Sequence, residues 1–162
     1  MTDSLEFGDA RIAVGDETRF TKTVGESDIY GFAGITGDFA APHMDEEYMR
    51  RSSFGERVAH GALLVGFMST ASARMAGRVM EATEEVTPMS LGYDRVRFTA
   101  PVRIGDTVTV RYTVRSVEAD RNRSRAELHA VNQRGETVGV AEHIMKWVPN
   151  PARRPDGAVR RA

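Results

Sequence analysis

The chain has 162 residues, 41% of them hydrophobic and 28% charged, with a formal net charge of −1 and no cysteine. That length suits one domain, burying roughly 70% of the unfolded chain's surface, and the composition is that of a folded chain rather than a disordered one. The near-neutral charge gives no electrostatic case for nucleic acid or an anionic membrane, and the missing cysteines exclude disulfides, thiolate metal sites and a cysteine nucleophile.

The start, MTDSLEFGDA, is acidic and lacks the basic and apolar regions of a signal peptide. The longest apolar run, Ala62 to Met68, is too short to span a bilayer. A cytoplasmic protein with no membrane partner is expected. The basic residues are nearly all arginine, only Lys22 and Lys146 being lysines, which is compatible with a phosphorylated small ligand.

Arg11 to Val24 alternates weakly and reads as an opening strand. A helix then begins at Ser27-Asp28, with Ser27 able to cap it and Asp28 placed at the positive end of its dipole. Ile29, Phe32, Ala33 and Ile35 keep helical spacing as far as Thr36, and Gly37 ends the run. Asp45 to Arg51 reads as a short helix and Ser52 to Arg57 as a loop. His60 to Met75 is the most helix-like stretch, apolar or small nearly all round, and so belongs inside the protein. Its small residues Gly66, Ser69, Ala71 and Ala73 would let a sheet approach closely.

From Pro88 the period changes to two. Val108, Val110, Tyr112 and Val114 alternate with polar neighbours, as do Ala126, Leu128 and Ala130. Val138, Val140 and Ile144 share one face of a last strand. Turn signals at Ile104-Gly105-Asp106, Asp120 to Arg123 and Gln133-Arg134-Gly135 separate these runs. The pattern is α+β, about four antiparallel strands around one central helix. It makes a single domain over residues 1–148. The tail, 149–162, carries Pro149, Pro151, Pro155, Arg153, Arg154, Arg160 and Arg161 and reads as disordered.

Two features carry chemistry. The loop GDFAAPH, residues 37–43, holds one acid and one imidazole, Asp38 and His43, among apolar and small residues. Five positions apart, they would diverge by about 140° on a helix and fall on opposite faces of a strand. A turn at Gly37 and Pro42 would bring them together. Converged, they could hold a water between them, removing one proton and delivering another. Otherwise Asp38 caps the next segment and His43 packs. The second feature is Val58-Ala59-His60-Gly61, where a helix start offers free N–H groups and a glycine lets a carbonyl approach: an oxyanion hole in outline, or a glycine merely tolerated there.

The run Phe32-Ala33-Gly34-Ile35-Thr36-Gly37-Asp38 followed by His43 resembles the hydratase motif of the MaoC-like dehydratases, which include the (R)-specific enoyl-CoA hydratases. FGERVAHG resembles the start of that family's central helix, and RVRFTAPVRIGDTVTV, residues 95–110, its strand and bend. The resemblance covers roughly residues 20 to 147. It implies a hot-dog fold, an antiparallel sheet wrapped around a long helix, and homodimers or larger homo-oligomers whose sheets join edge to edge. It implies reversible hydration of a trans-2-enoyl-CoA, or of the corresponding acyl carrier protein thioester, to the (R)-3-hydroxyacyl form. Asp38 and His43 would be the catalytic pair, the Gly61 N–H would bind the thioester oxygen, and Ser69 would be a positioning group; no metal or redox cofactor is implied. The chain departs from the family at Ala40-Ala41, where Asn-Pro is common, at Pro42, which stands one place late, and at Met49, which replaces a small residue. Thioester hydrolysis and a non-catalytic hot-dog subunit are the alternative functions. His60 reads as structural, His129 and His143 as surface or interface residues, and Arg95, Arg97 and Arg103 as phosphate contacts or solvated strand residues.

Overall fold

The computed structural model describes residues 3–151. In chain order they form β1 (Ser4–Phe7), β2 (Ala10–Ala13), β3 (Glu17–Thr23), α1 (Glu26–Thr36), α2 (Ala41–Met44), α3 (Glu46–Arg50), α4 (Gly61–Ala82), β4 (Val86–Phe98), β5 (Thr107–Glu118), β6 (Arg123–Asn132) and β7 (Thr137–Pro149). Five of the strands make one antiparallel sheet in the order β3-β5-β6-β7-β4, and β1 and β2 pair as a separate hairpin. The sheet wraps around α4.

The helix α4 shows why it lies there. Leu64, Phe67, Met68, Ala71, Ser72, Met75, Ala76 and Val79 are buried, a stripe at helical spacing along its whole length. The helix is therefore one-sided, not buried all round: Gly66, Ser69 and Ala73 face outward, and of the small residues only Ala71 meets the sheet. The close approach comes from the opposite partner. A methyl group at Gly139 of β7 would lie 3.3 Å from Leu64 Cδ1.

The sheet side of the core follows the period of two. Val108, Val110, Tyr112 and Val114 of β5 and Ala126, Leu128 and Ala130 of β6 are fully buried. In β7 the parity differs from the sequence reading. The register slips between Ala130 and Val131, so Val138 and Gly139 are both buried. Beyond that slip Ala141, His143, Met145 and Trp147 point inward, while Val140 and Ile144 turn to the outer face. His143 is thus a core residue with no exposure, not a surface one. Its Nε2 pairs with the Ser90 hydroxyl at 2.8 Å and its Nδ1 with the Tyr112 hydroxyl at 3.3 Å. Burial lowers its pKa from 6.5 to about 4. His129 does lie on the outer face, paired with Glu127.

Three boundaries also move. The opening strand is divided at Gly15 into β2 and β3, and α1 is capped by Gly25, whose N–H donates to the Asp28 carboxylate at 2.9 Å; Ser27 is inside the helix. At the other end, β7 runs through Pro149, and Asn150 bonds to the Glu85 and Glu84 carbonyls and to Thr87. The rest of the tail, residues 152–162, lies outside the described residues. Among the described residues no helix is long and apolar enough to cross a membrane.

Candidate active site

The acid and the base of GDFAAPH do converge. Gly37 ends α1 in the left-handed conformation, φ 80°, which reverses the chain just before Asp38. Ala41-Pro42-His43-Met44 then forms the single turn α2, with Pro42 at its start, where a missing N–H costs nothing. The proline that departs from the family pattern is therefore a helix starter. Asp45 closes the region by capping α3, its carboxylate accepting the Tyr48 N–H at 2.9 Å.

The loop is held from outside by the segment Arg57–His60. The Val58 N–H donates to the Pro42 carbonyl at 3.1 Å, and the Val58 carbonyl accepts from His43 Nδ1 at 2.7 Å. The Arg57 guanidinium reaches the His43 carbonyl at 3.4 Å while pairing with Glu26 of α1 and Glu46 of α3. The hydrogen bonds it donates to Glu26 and Glu46 raise the Arg57 pKa against the opposing effect of burial. His60 Nε2 bonds to the Asp38 backbone carbonyl at 2.9 Å. On its far side this segment is itself braced, through Ala59 N–H to the Val102 carbonyl at 2.7 Å and a bridge between Val58 and Arg103.

These bonds fix tautomers. A carbonyl oxygen only accepts, so His43 carries a proton on Nδ1, which in the neutral ring leaves Nε2 bare; by the same logic His60 carries a proton on Nε2. The two rings stack at 3.8 Å between centroids, 28° from parallel. One ligand-type atom from each of Asp38, His43 and His60 lies within 4.8 Å of the others. Such a trio could be considered for a metal. Nearly parallel stacked rings, each with one nitrogen committed to a carbonyl, do not aim two lone pairs at one point, so the arrangement suits proton transfer better than chelation.

Beside the pair lies a cleft of about 400 Å³ lined by His43, His60, Gly61 and the apolar Phe54, Leu64, Phe98 and Val102. Asp38 is exposed and stands outside its wall. Gly61 is the first residue of α4, so its N–H precedes the first intrahelical bond and is free for a ligand. The lack of a side chain there has a packing reason: a methyl group would lie 2.5 Å from Phe98 Cδ2. Ser69 does not join the site. It is exposed on the outer face of α4, about 12 Å along the helix from Gly61.

A larger cavity, about 560 Å³, opens on the outer face of the sheet among Arg95, Arg115, Arg125, Glu127, His129 and Glu142. Its carboxylates are already committed, Glu127 to Arg115 and His129 and Glu142 to Arg125. The chemistry points to the smaller cleft. Of the arginines considered for phosphate, Arg95 lines the outer cavity, Arg97 donates to the Val96 carbonyl, and Arg103 pairs with Glu56. Sequence reasoning passed over the roles of Arg57 and Phe98 and treated His60 as a helix start. The signal for Arg57 and His60 was the RVAHG run itself, with a cation, an imidazole and a glycine within five residues; Phe98 had none.

Comparison with known proteins places the chain in a family. The MaoC-like domain family matches residues 10–135. An (R)-specific enoyl-CoA hydratase of Rhodospirillum rubrum is 39% identical over 105 residues, spanning 64% of this chain and 66%, just under two thirds, of that protein. A 3-hydroxybutyryl-CoA dehydratase of Methylorubrum extorquens is 34% identical over 115 residues, 70% of this chain and 68% of that one. Among solved structures, an unliganded R-hydratase from Pseudomonas aeruginosa superposes with a TM-score of 0.71 at 28% identity, covering 92% of this chain and 94% of the other. Three motifs in order, a sheet wrapped on one long helix and a match over most of the chain lead to one assignment: this protein belongs to the MaoC-like dehydratase family and has its hot-dog fold.

Proposed function

We propose that the protein is a hydro-lyase that adds water reversibly to a trans-2-enoyl-CoA, giving the (R)-3-hydroxyacyl-CoA. The observation that carries this reading is the locked tautomer of His43. Its Nδ1–H is held by the Val58 carbonyl, which leaves Nε2 of the neutral ring as its free nitrogen; the ring lines the cleft, and one of its nitrogens lies within 4.8 Å of an Asp38 carboxylate oxygen. In the hydration direction the carboxylate accepts one hydrogen of a water and orients it. His43 Nε2 takes the other proton as the oxygen bonds to C3. Electron density moves onto the thioester oxygen, where the Gly61 N–H at the positive end of α4 receives it. The enolate collapses and C2 takes the proton back from His43, so one water is consumed and no charge is left behind. No metal or redox cofactor enters this scheme.

In this proposal the working unit is a homodimer in the cytoplasm. The edge strand β4, which carries the half-exposed Met89 and Leu91, offers a surface for joining two sheets. The test is spectroscopic: crotonyl-CoA is added and the conjugated thioester absorbance followed, with free thiol assayed in parallel. Loss of absorbance without thiol supports hydration, whereas thiol release would replace it with hydrolysis. Asp38→Asn and His43→Ala should each lower kcat by about 10²–10⁴-fold. A wild-type rate in either variant would overturn the mechanism.

A further inference from the structure

We propose that His60 is a positioning residue, holding the acid and the base in register by its hydrogen bond to the Asp38 carbonyl and its stack on His43. The proposal rests on the hydratase reading of the same site. The reversal at Gly37 and the turn of α2 bring Asp38 and His43 near each other, but neither ties Asp38 to the body of the protein, so an outside contact must. His60 touches both. Its Nε2–H donates to the Asp38 carbonyl at 2.9 Å, and its ring covers the His43 ring at 3.8 Å. Phe32 of α1 packs on it as well, at 4.8 Å between ring centroids, so the imidazole is held among three neighbours.

The His43 ring is thereby fixed in two directions. The Val58 carbonyl holds its edge through Nδ1–H, and His60 holds its face. Asp38 has no such support of its own. It is exposed, and within the loop its only bonds are long ones, at 3.3 Å, to Thr36 and Ala40. The His60 bond is the short link that ties the Asp38 backbone to the body of the protein. His60 is also the N-cap of α4, so the residue that references acid and base is the one before the Gly61 N–H.

A residue needed only for packing would not be a histidine here. His60 is 2% exposed, and its Nδ1 is buried with no partner. An apolar ring would fill the space without burying an unpaired polar atom. What the imidazole adds over phenylalanine is the single bond to the Asp38 carbonyl.

Three variants test this on the full chain: His60→Phe, which keeps a ring for the stack and removes the bond; His60→Gln, which restores a donor; and His60→Ala, which removes both. With crotonyl-CoA, His60→Phe should lose about 10–100-fold in kcat with KM near wild type, because a misplaced acid–base pair binds substrate and turns it over slowly. His60→Gln should recover at least tenfold over His60→Ala. A wild-type kcat in His60→Phe, or no rescue by glutamine, overturns the proposal. Hydrogen exchange of the amides of residues 38–43 asks the same question without substrate. It should be faster in His60→Phe than in wild type and slower again in His60→Gln; unchanged exchange also overturns the proposal. Wild-type protein inactive on crotonyl-CoA, with exchange behaving as stated, would count against the functional reading and leave the positioning role standing.

Discussion

Replacing His143 by phenylalanine should lower stability at neutral pH and yet flatten the loss of stability in acid. His143, on β7, is fully buried against Tyr112 and Tyr93, and burial lowers its pKa from 6.5 to about 4. The folded imidazole therefore stays neutral over a range where the unfolded chain's imidazole is protonated. Above pH 6.5 this costs nothing; as the pH falls toward 4 the unfolded state binds a proton that the folded state does not, and stability drops. The gap between 6.5 and about 4, at roughly 1.36 kcal/mol per pH unit, comes to about 3 kcal/mol, of which about 2 kcal/mol has been lost by pH 5. In a domain of this size that is roughly 4–8 °C of melting temperature between pH 7 and pH 5. Phenylalanine keeps a ring against Tyr93 and Tyr112, whose centroids lie 4.7 and 5.7 Å away, but it strands the Tyr112 hydroxyl, for a loss of about 1–3 kcal/mol at every pH. The assay is thermal unfolding by circular dichroism at pH 7, 6 and 5, read as the difference between wild type and variant, in which the other histidines cancel. Melting temperatures that fall in parallel would refute the account of His143.

Gly61→Ala should destabilise by about 1–3 kcal/mol, because its methyl would sit 2.5 Å from the Phe98 ring, and most of that cost should vanish in a Phe98→Ala background. Strictly additive costs in urea titrations would show that Phe98 is not why position 61 is glycine. Arg57→Met keeps an apolar stem and removes the guanidinium from Glu26, Glu46 and the His43 carbonyl. With both carboxylates about half-exposed, the loss in urea titrations should be modest, about 1–2 kcal/mol, and kcat should fall as the loop loosens; unchanged values of both would remove Arg57 from the grip on α2.

The parts of the fold that could be read in the sequence are those whose residues report their own surroundings. The alternation in β5 and β6 is clean because one face is core and the other is solvated, and the long apolar helix could only be central. What failed had a non-local cause. In β7 a register slip against β6 reverses the parity, so the apolar Val140 and Ile144 face out and His143 faces in. Around α4 the pattern of small residues looked like a buried helix on all sides because no sequence rule says which face meets the sheet. The strands β1 and β2, of four residues each, are too short to show an alternation. In the site, Asp38 and His43 stood out by residue type alone. Their supports did not, since the bonds that converge them join residues 15 and 22 positions apart. Ser69 came from the family pattern, and its place on the outer face of α4 gives that reading no support within one chain.

The grip on the loop of Asp38 and His43 starts at Arg57, and the turn just before it is largely bonded to itself. Ser52 bonds to the Met49 carbonyl, and Phe54 and Gly55 N–H groups return to Ser52. Phe54, half-exposed, reaches the cleft from that turn. Surface turns of this kind lengthen cheaply, at about 0.6 kcal/mol for each doubling. Variation between Ser52 and Gly55 can thus reshape what the cleft admits while Arg57, Val58 and His60 keep the acid and base where they are. If the proposed hydration holds, the fold keeps the part of the cleft that admits substrate apart from the part that moves protons.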